Sequence, residues 1–101
     1  MAKEYHSLAA FYPFYLSQHT NVLCRRLHFC GSLIGLFCLL FAVLNQNYWL
    51  ILAGIGVGYL FAWIGHFVFE KNRPATFQYP LYSFVCDWLM FRDILLRRIP
   101  W

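Results

Sequence analysis

The sequence predicts an all-α membrane protein, a tight transmembrane helical hairpin flanked by interfacial or packed N- and C-terminal helices. Three observations lead there. Of 101 residues, 61% are hydrophobic and only 12% charged, where a soluble domain is about half apolar and about a quarter charged, and so short a chain has too little interior to hide that much apolar surface. Two runs, Phe29 to Leu44 without a charge and Tyr48 to Phe69 with His66 as its one titratable group besides tyrosine, approach or meet the roughly 20 apolar residues a spanning helix needs. Only Asn45-Gln46-Asn47 separates them, so the spans must turn back directly on each other.

The elements follow in order. Glu4 to Ser17 is rich in aromatics but broken by His6 and Pro13, which predicts an interfacial helix kinked near Pro13. Thr20 or Asn21 is the expected N-cap of the first span, at about 22–45. The second span is expected at about 48–71, with Arg73-Pro74 ending it because the residue before proline is pushed out of the helical region. Tyr79 to Arg98 opens with Pro80 and carries Asp87, Arg92 and Asp93. Each such charge costs about 2.5–3.5 kcal/mol at the bilayer centre, so this piece should lie at the interface or pack on the hairpin, with Trp88, Trp101 and the tyrosines as an aromatic belt. The chain, 1–101, reads as one integral membrane domain.

Basic residues flank the spans at Lys3, Arg25 and Arg26 and again at Lys71, Arg73, Arg92, Arg97 and Arg98, and none lies in the turn. The positive-inside rule then puts both termini in the cytoplasm, at a bacterial inner membrane or, in a eukaryote, the endoplasmic reticulum. The net charge of +4 fits topology and anionic headgroups better than a nucleic-acid surface. No removable leader is expected. Cys24, Cys30, Cys38 and Cys86 lack any C-x-x-C spacing and read as small buried hydrophobes.

The hairpin gives the histidines their meaning. His28 begins the first span and His66 ends the second, so antiparallel packing brings both to one end, where His19 also lies. His66 and Glu70, four apart on an α-helix, would stand one above the other as two ligands do. Gly58 and Ala62 share the His66 side, and Gly31, Ser32 and Gly35 the His28 side, so the histidine faces are expected to be the packed ones; an α-helical drift of about 40° per four residues takes Gly54 off that side. Imidazoles with one carboxylate suit non-haem iron(II), manganese or catalytic zinc. The bland alternative is a set of interfacial histidines meeting headgroups and water, the reading preferred for His6. Asn72 and Arg73 follow at once. An arginine fork could grip a fatty-acid carboxylate, or serve only as a topogenic charge. Asp87 could accept a ligand N–H, or pair with Arg92.

Phe11 to Ser32, with His19, Asn21 and His28, and Gly65 to Met90, with G-H-x-x-x-E-x-N-x-P-A at Gly65, His66, Glu70, Asn72, Pro74 and Ala75, resemble the small membrane family of 2-hydroxy fatty acid dioxygenases, whose members include a yeast endoplasmic-reticulum enzyme of phytosphingosine breakdown and bacterial relatives. The resemblance implies an Fe(2+)-dependent α-oxidation in which a 2-hydroxy fatty acid and dioxygen give an acid one carbon shorter without 2-oxoglutarate. It also implies His19, His28, His66 and Glu70 as ligands. Two rivals remain from the residues alone. One is an electron carrier with haem b between His28 and His66. The other is a non-enzymatic scaffold that pairs with a second copy through Gly54-x-x-x-Gly58.

Overall fold

The computed structural model describes residues 5–101; Lys3 and Glu4 lie outside the described residues. Helix α1 spans Leu8–Ser17, α2 Val22–Asn45, α3 Trp49–Ile64 and α4 Pro80–Leu95. A π-helical turn, Gly65–Glu70, continues α3, and a 3₁₀ turn, Ala75–Phe77, leads into α4. The described residues contain no strand. Two of the helices, Val22–Asn45 and Trp49–Glu70, are long and apolar enough to cross a membrane.

The ends of α2 are set by local chemistry. Asn21 is the cap, its side-chain oxygen accepting from the Leu23 N–H at 2.8 Å and the Cys24 N–H at 3.3 Å, which satisfies two of the donors a helix start leaves open. At the other end Gln46 adopts a left-handed conformation, φ 53°. The Asn47 N–H then reaches the Ala42 carbonyl and the Gln46 N–H the Val43 carbonyl, the paired bonds of a Schellman ending. The chain reverses within three residues, as expected of the hairpin.

Small residues hold α2 against α3. A Cβ on Gly31 would stand 2.9 Å from Phe61 Cβ and 3.3 Å from the Gly58 backbone, and one on Gly54 2.9 Å from Cys38 Cβ and 3.3 Å from Gly35 Cα. Further along, one on Gly65 would stand 2.9 Å from Cys24 Sγ. The contacts on α2 thus fall at Cys24, Gly31, Gly35 and Cys38, and on α3 at Gly54, Gly58, Phe61 and Gly65, alternating steps of three, four and seven. That is a seam of period 3.5, in which helices wrap slightly round each other. Gly54 therefore belongs to the seam, contrary to the expectation from a straight 3.6-residue helix. Its G-x-x-x-G pair with Gly58 is spent inside the chain, where the scaffold reading needed it outside.

Helices α1 and α4 pack beside the hairpin around a second core. Ser7 caps α1, accepting from the Ala10 N–H at 3.1 Å, and Pro13 lies inside the helix. Phe11 and Tyr15 are buried with Tyr79, Cys86, Met90 and Ile94. Most tyrosines expected in an interfacial belt are here instead: Tyr5, Tyr79 and Tyr82 stack on one another or on Phe11. Trp101 meets Phe29 and lies under the Arg26 guanidinium. Asp93 joins the two helices, accepting from the Tyr12 hydroxyl at 2.6 Å and pairing with Arg92 at 2.9 Å. Those two bonds, Arg92 first and Tyr12 second, hold its carboxyl below the ordinary range. Burial pushes the Cys86 thiol up to about 11, in keeping with its reading as a small buried hydrophobe.

The seam makes a paired prediction. Gly54→Ala puts a methyl into the Gly35 and Cys38 contacts, and should cost about 1–3 kcal/mol through overpacking. Gly56→Ala meets nothing within 4 Å, and should be neutral or gain up to about 1 kcal/mol of helix propensity. Thermal unfolding in detergent separates them; equal shifts would mean the seam does not bear on stability.

Candidate metal centre

Three imidazoles meet where α1, α2 and α3 come together. His19 lies in the link between α1 and α2, His28 two turns into α2, and His66 in the π-helical turn. They are 1%, 5% and 2% exposed. Their ring centroids are 4.5 Å apart for His19 to each of the others and 5.0 Å for His28 to His66, with interplanar angles of 73–86°.

The outer nitrogen of each ring fixes its tautomer. His28 Nδ1 lies 2.9 Å from Asp87 Oδ1, His19 Nδ1 2.6 Å from the Tyr15 carbonyl and His66 Nδ1 2.7 Å from Asn72 Oδ1. A carboxylate and a carbonyl can only accept, and the Asn72 amide is oriented by its own Nδ2 donating to the Gln18 carbonyl at 3.1 Å. Each Nδ1 therefore carries a proton and is turned outward, which leaves Nε2 as the nitrogen that each ring presents to the centre. His28 Nε2 and His66 Nε2 face each other at 3.2 Å, and His19 Nε2 is buried without a partner among the described residues.

Converging lone pairs in a buried place repel unless a cation lies among them. The spacing of 3.2 Å is that of two nitrogens each about 2.0–2.1 Å from one ion. Burial, and then the positions of His28 and His66, push the His19 pKa well below its ordinary value, so it is neutral and able to ligate. By donor chemistry the three rings fit a first-row divalent metal such as iron or zinc.

The acceptors behind the rings are themselves held. Asp87 Oδ2 accepts from Ser32 Oγ at 3.2 Å, and Oδ1 from the Tyr15 hydroxyl at 3.4 Å. Burial, and next the nearby Asp87 charge, push the Tyr15 hydroxyl well above its ordinary value, so it stays a donor. Asn72 is brought to His66 by a reversal at Lys71, φ 58°, with the Asn72 N–H bonded to the His66 carbonyl at 3.1 Å. This left-handed residue ends the helical run at Glu70, earlier than the expected stop at Arg73-Pro74, because the chain must double back for Asn72 to reach the ring.

Two expected ligands and contacts lie elsewhere. Glu70 does not enter the cluster: its carboxylate accepts from the Asn21 N–H and, at 3.3 Å, from Thr20 Oγ1. The expectation that it would stack on His66 assumed an α-helix. The turn is π-helical, which rotates Glu70 relative to His66 from its α-helical position, and Glu70 turns instead to the start of α2, tying the His19 segment to the His66 turn. Arg73 is exposed, with its guanidinium 4.8 Å above the Phe77 ring. Asp87, read as an acceptor for a ligand N–H or a partner of Arg92, accepts from His28, and Asn72 accepts from His66.

Cys24 was missed as a member of the cluster. Its Sγ and the three histidine nitrogens all lie within 4.8 Å of one another. Its position four residues before His28 was the available signal.

Beside the histidines runs an apolar cavity of about 210 Å³, lined by His28 and His66 at one end and by Leu39 and Ile51 towards the hairpin turn. His28 and Leu39 are eleven residues apart on one helix, about 16 Å along its axis. The glycines at 31, 35, 54 and 58 also border it.

Comparison with known proteins gives one match. The family model described as Mpo1-like, 2-hydroxy-palmitic acid dioxygenase Mpo1-like, covers residues 5–99. No curated protein and no solved structure matches.

The outer bonds can be tested through metal affinity. Asp87→Asn should weaken binding of added iron(II) or zinc by about 10–100-fold, the usual cost of losing such a partner. Glu70→Gln, which keeps an acceptor for the Asn21 N–H, should hold metal nearly as well as the wild type, while Glu70→Ala should not. Titration with a competing chelator reads both; loss of metal in Glu70→Gln would make the carboxylate charge itself a ligand.

Proposed function

Since this chain belongs to the Mpo1-like, 2-hydroxy-palmitic acid dioxygenase family, we propose that it is an iron(II)-dependent dioxygenase that shortens 2-hydroxy fatty acids by one carbon within a membrane. The observation that carries the reading is the convergence of three buried imidazole Nε2 atoms beside an apolar cavity. The balance needs no reductant or co-substrate besides dioxygen. The C2 alcohol going to a carboxyl and C1 leaving as carbon dioxide together release four electrons, and dioxygen takes them, so the products are the shorter acid, carbon dioxide and water.

His19, His28 and His66 would hold the iron, with Cys24 beside them. When bound, the iron supplies Lewis-acid polarisation of the hydroxy acid and a redox centre at which dioxygen reacts. The chain's own work is arrangement. Asp87, Asn72 and the Tyr15 carbonyl keep the Nδ1 protons outward and the ring planes fixed. Three histidine donors from one chain would leave open positions for small ligands on an ion held there. The groove between α2 and α3 suits a hydrocarbon tail, placing the acid's polar end at the histidines and its methyl end towards Leu39.

A haem between His28 and His66 is the weaker reading, because a nitrogen separation of 3.2 Å is shorter than the roughly 4 Å that two axial bonds of about 2 Å need across a flat macrocycle. The basic residues beside both spans favour an integral membrane location with both termini cytoplasmic.

Iron(II)-loaded protein in detergent, given 2-hydroxypalmitate under air, should yield the acid one carbon shorter by mass spectrometry, and His66→Ala should yield none. Product formation unchanged in His66→Ala would remove the three-histidine centre from the reaction. Bound iron without product in the wild type would remove this substrate.

A further inference from the structure

The tail of a fatty acid is accounted for by the cavity walls, but no side-chain donor to its carboxylate has yet been placed. Carrying a carboxylate out of water is costly unless hydrogen-bond donors meet it, and ligand pockets of this kind fix orientation with few polar groups. Arg73, the donor the sequence offered, is exposed over Phe77, and no lysine or arginine is among the described residues that line the cavity.

The buried donors on the wall, Ser83 apart, are committed. Tyr15 and Ser32 both donate to Asp87, and the histidine N–H groups point outward. Ser83 is different. It lies on α4, lines the cavity, is 6% exposed, and its Oγ is buried with no hydrogen-bond partner among the described residues. Buried hydroxyls almost always find partners, and leaving one without is costly. Ser83 also stands four residues before Asp87, on the same face and one turn, about 5.4 Å, along α4. The helix that orients His28 through Asp87 thus carries an uncommitted hydroxyl into the same cavity.

We propose that Ser83 is a substrate-binding residue whose hydroxyl donates to the carboxylate of the fatty acid in the α2–α3 cavity, an inference that rests on the fatty-acid reading of this site. Such a contact selects acids over alcohols and esters of the same length and sets which end of the chain lies at the histidines. It takes the place that sequence reasoning gave to Arg73.

The test uses iron(II)-loaded wild type, Ser83→Ala and Ser83→Thr in detergent. Each is titrated anaerobically with 2-hydroxypalmitate, palmitate and hexadecane-1,2-diol, following the fluorescence of Trp63 and Trp88, which line the cavity. Ser83→Ala should bind both acids about tenfold more weakly, as expected for a lost bond to a charged group, and the diol unchanged; Ser83→Thr should bind the acids like the wild type. Metal content should be the same in all three. Equal acid affinity in wild type and Ser83→Ala, or an equal loss for the diol, overturns the proposal, as does a wild type that binds neither acid. Serine-dependent acid binding without any shorter acid under air would leave Ser83 in place and remove the dioxygenase reading; normal turnover with unchanged KM in Ser83→Ala would do the reverse.

Discussion

The close approach of α2 and α3 is the constraint from which the rest of the site follows. In lipid, association of two apolar helices gains little from hiding oil from water, since the surroundings are already apolar, and depends on how closely their atoms can fit. Glycines at 31, 35, 54, 58 and 65 remove the side chains that would hold the backbones apart. The approach continues to the open end of the hairpin, where Gly65 rests on Cys24. That contact lies next to His66 and one turn before His28, and it allows the two rings to face each other at 3.2 Å. A wider helix spacing would leave two isolated polar side chains at a membrane edge.

Closeness alone would let the rings turn. The second physical element is the set of acceptors drawn from three other parts of the chain: the end of α1 for His19, α4 for His28 and the reversal after the π-helical turn for His66. This explains why a hairpin with two adequate spans carries flanking helices with a core of their own. The aromatic core between α1 and α4 fixes Tyr15 and Asp87, and through them two of the three rings. Glu70 fastens the remaining joint by accepting from the Asn21 N–H, at the positive end of α2, where a carboxylate is also favoured by the helix dipole. Buried polar groups are costly unless each is satisfied. In this cluster every Nδ1 has an acceptor outside, while His19 Nε2 is left without a partner among the described residues and the other two Nε2 atoms meet only each other, an asymmetry that points to a ligand and not to poor packing.

Much of this was legible because it follows from short-range rules. Charge-free length gave the spans, three polar residues gave the turn, and antiparallel pairing then brought His19, His28 and His66 to one end. Asn21 as cap and Pro80 at the start of α4 follow from local preference. The errors share one cause. Glu70 was placed beside His66, and Gly54 off the packed face, by assuming a straight α-helix, whereas the π-helical turn rotates the first and the 3.5-residue seam includes the second. Cys24 and Ser83 carry no motif, and only the packing of other helices against them shows where they point.

The sequence by itself determined the all-α class, both ends of the first long helix, the turn that starts the second and the end of the hairpin at which the ligand-type side chains collect, because these depend on hydrophobic length, capping and chain reversal. It also carried the family. Tertiary structure decided which side chains face the common centre, which ones hold them, and where a carboxylate could find a donor. Those outcomes turn on rotations of a fraction of a helical turn and on contacts between residues far apart in the chain, such as Tyr15 and Asp87, 72 positions from each other. No local pattern encodes them, since each is fixed only when the backbones of several helices have come within contact of one another.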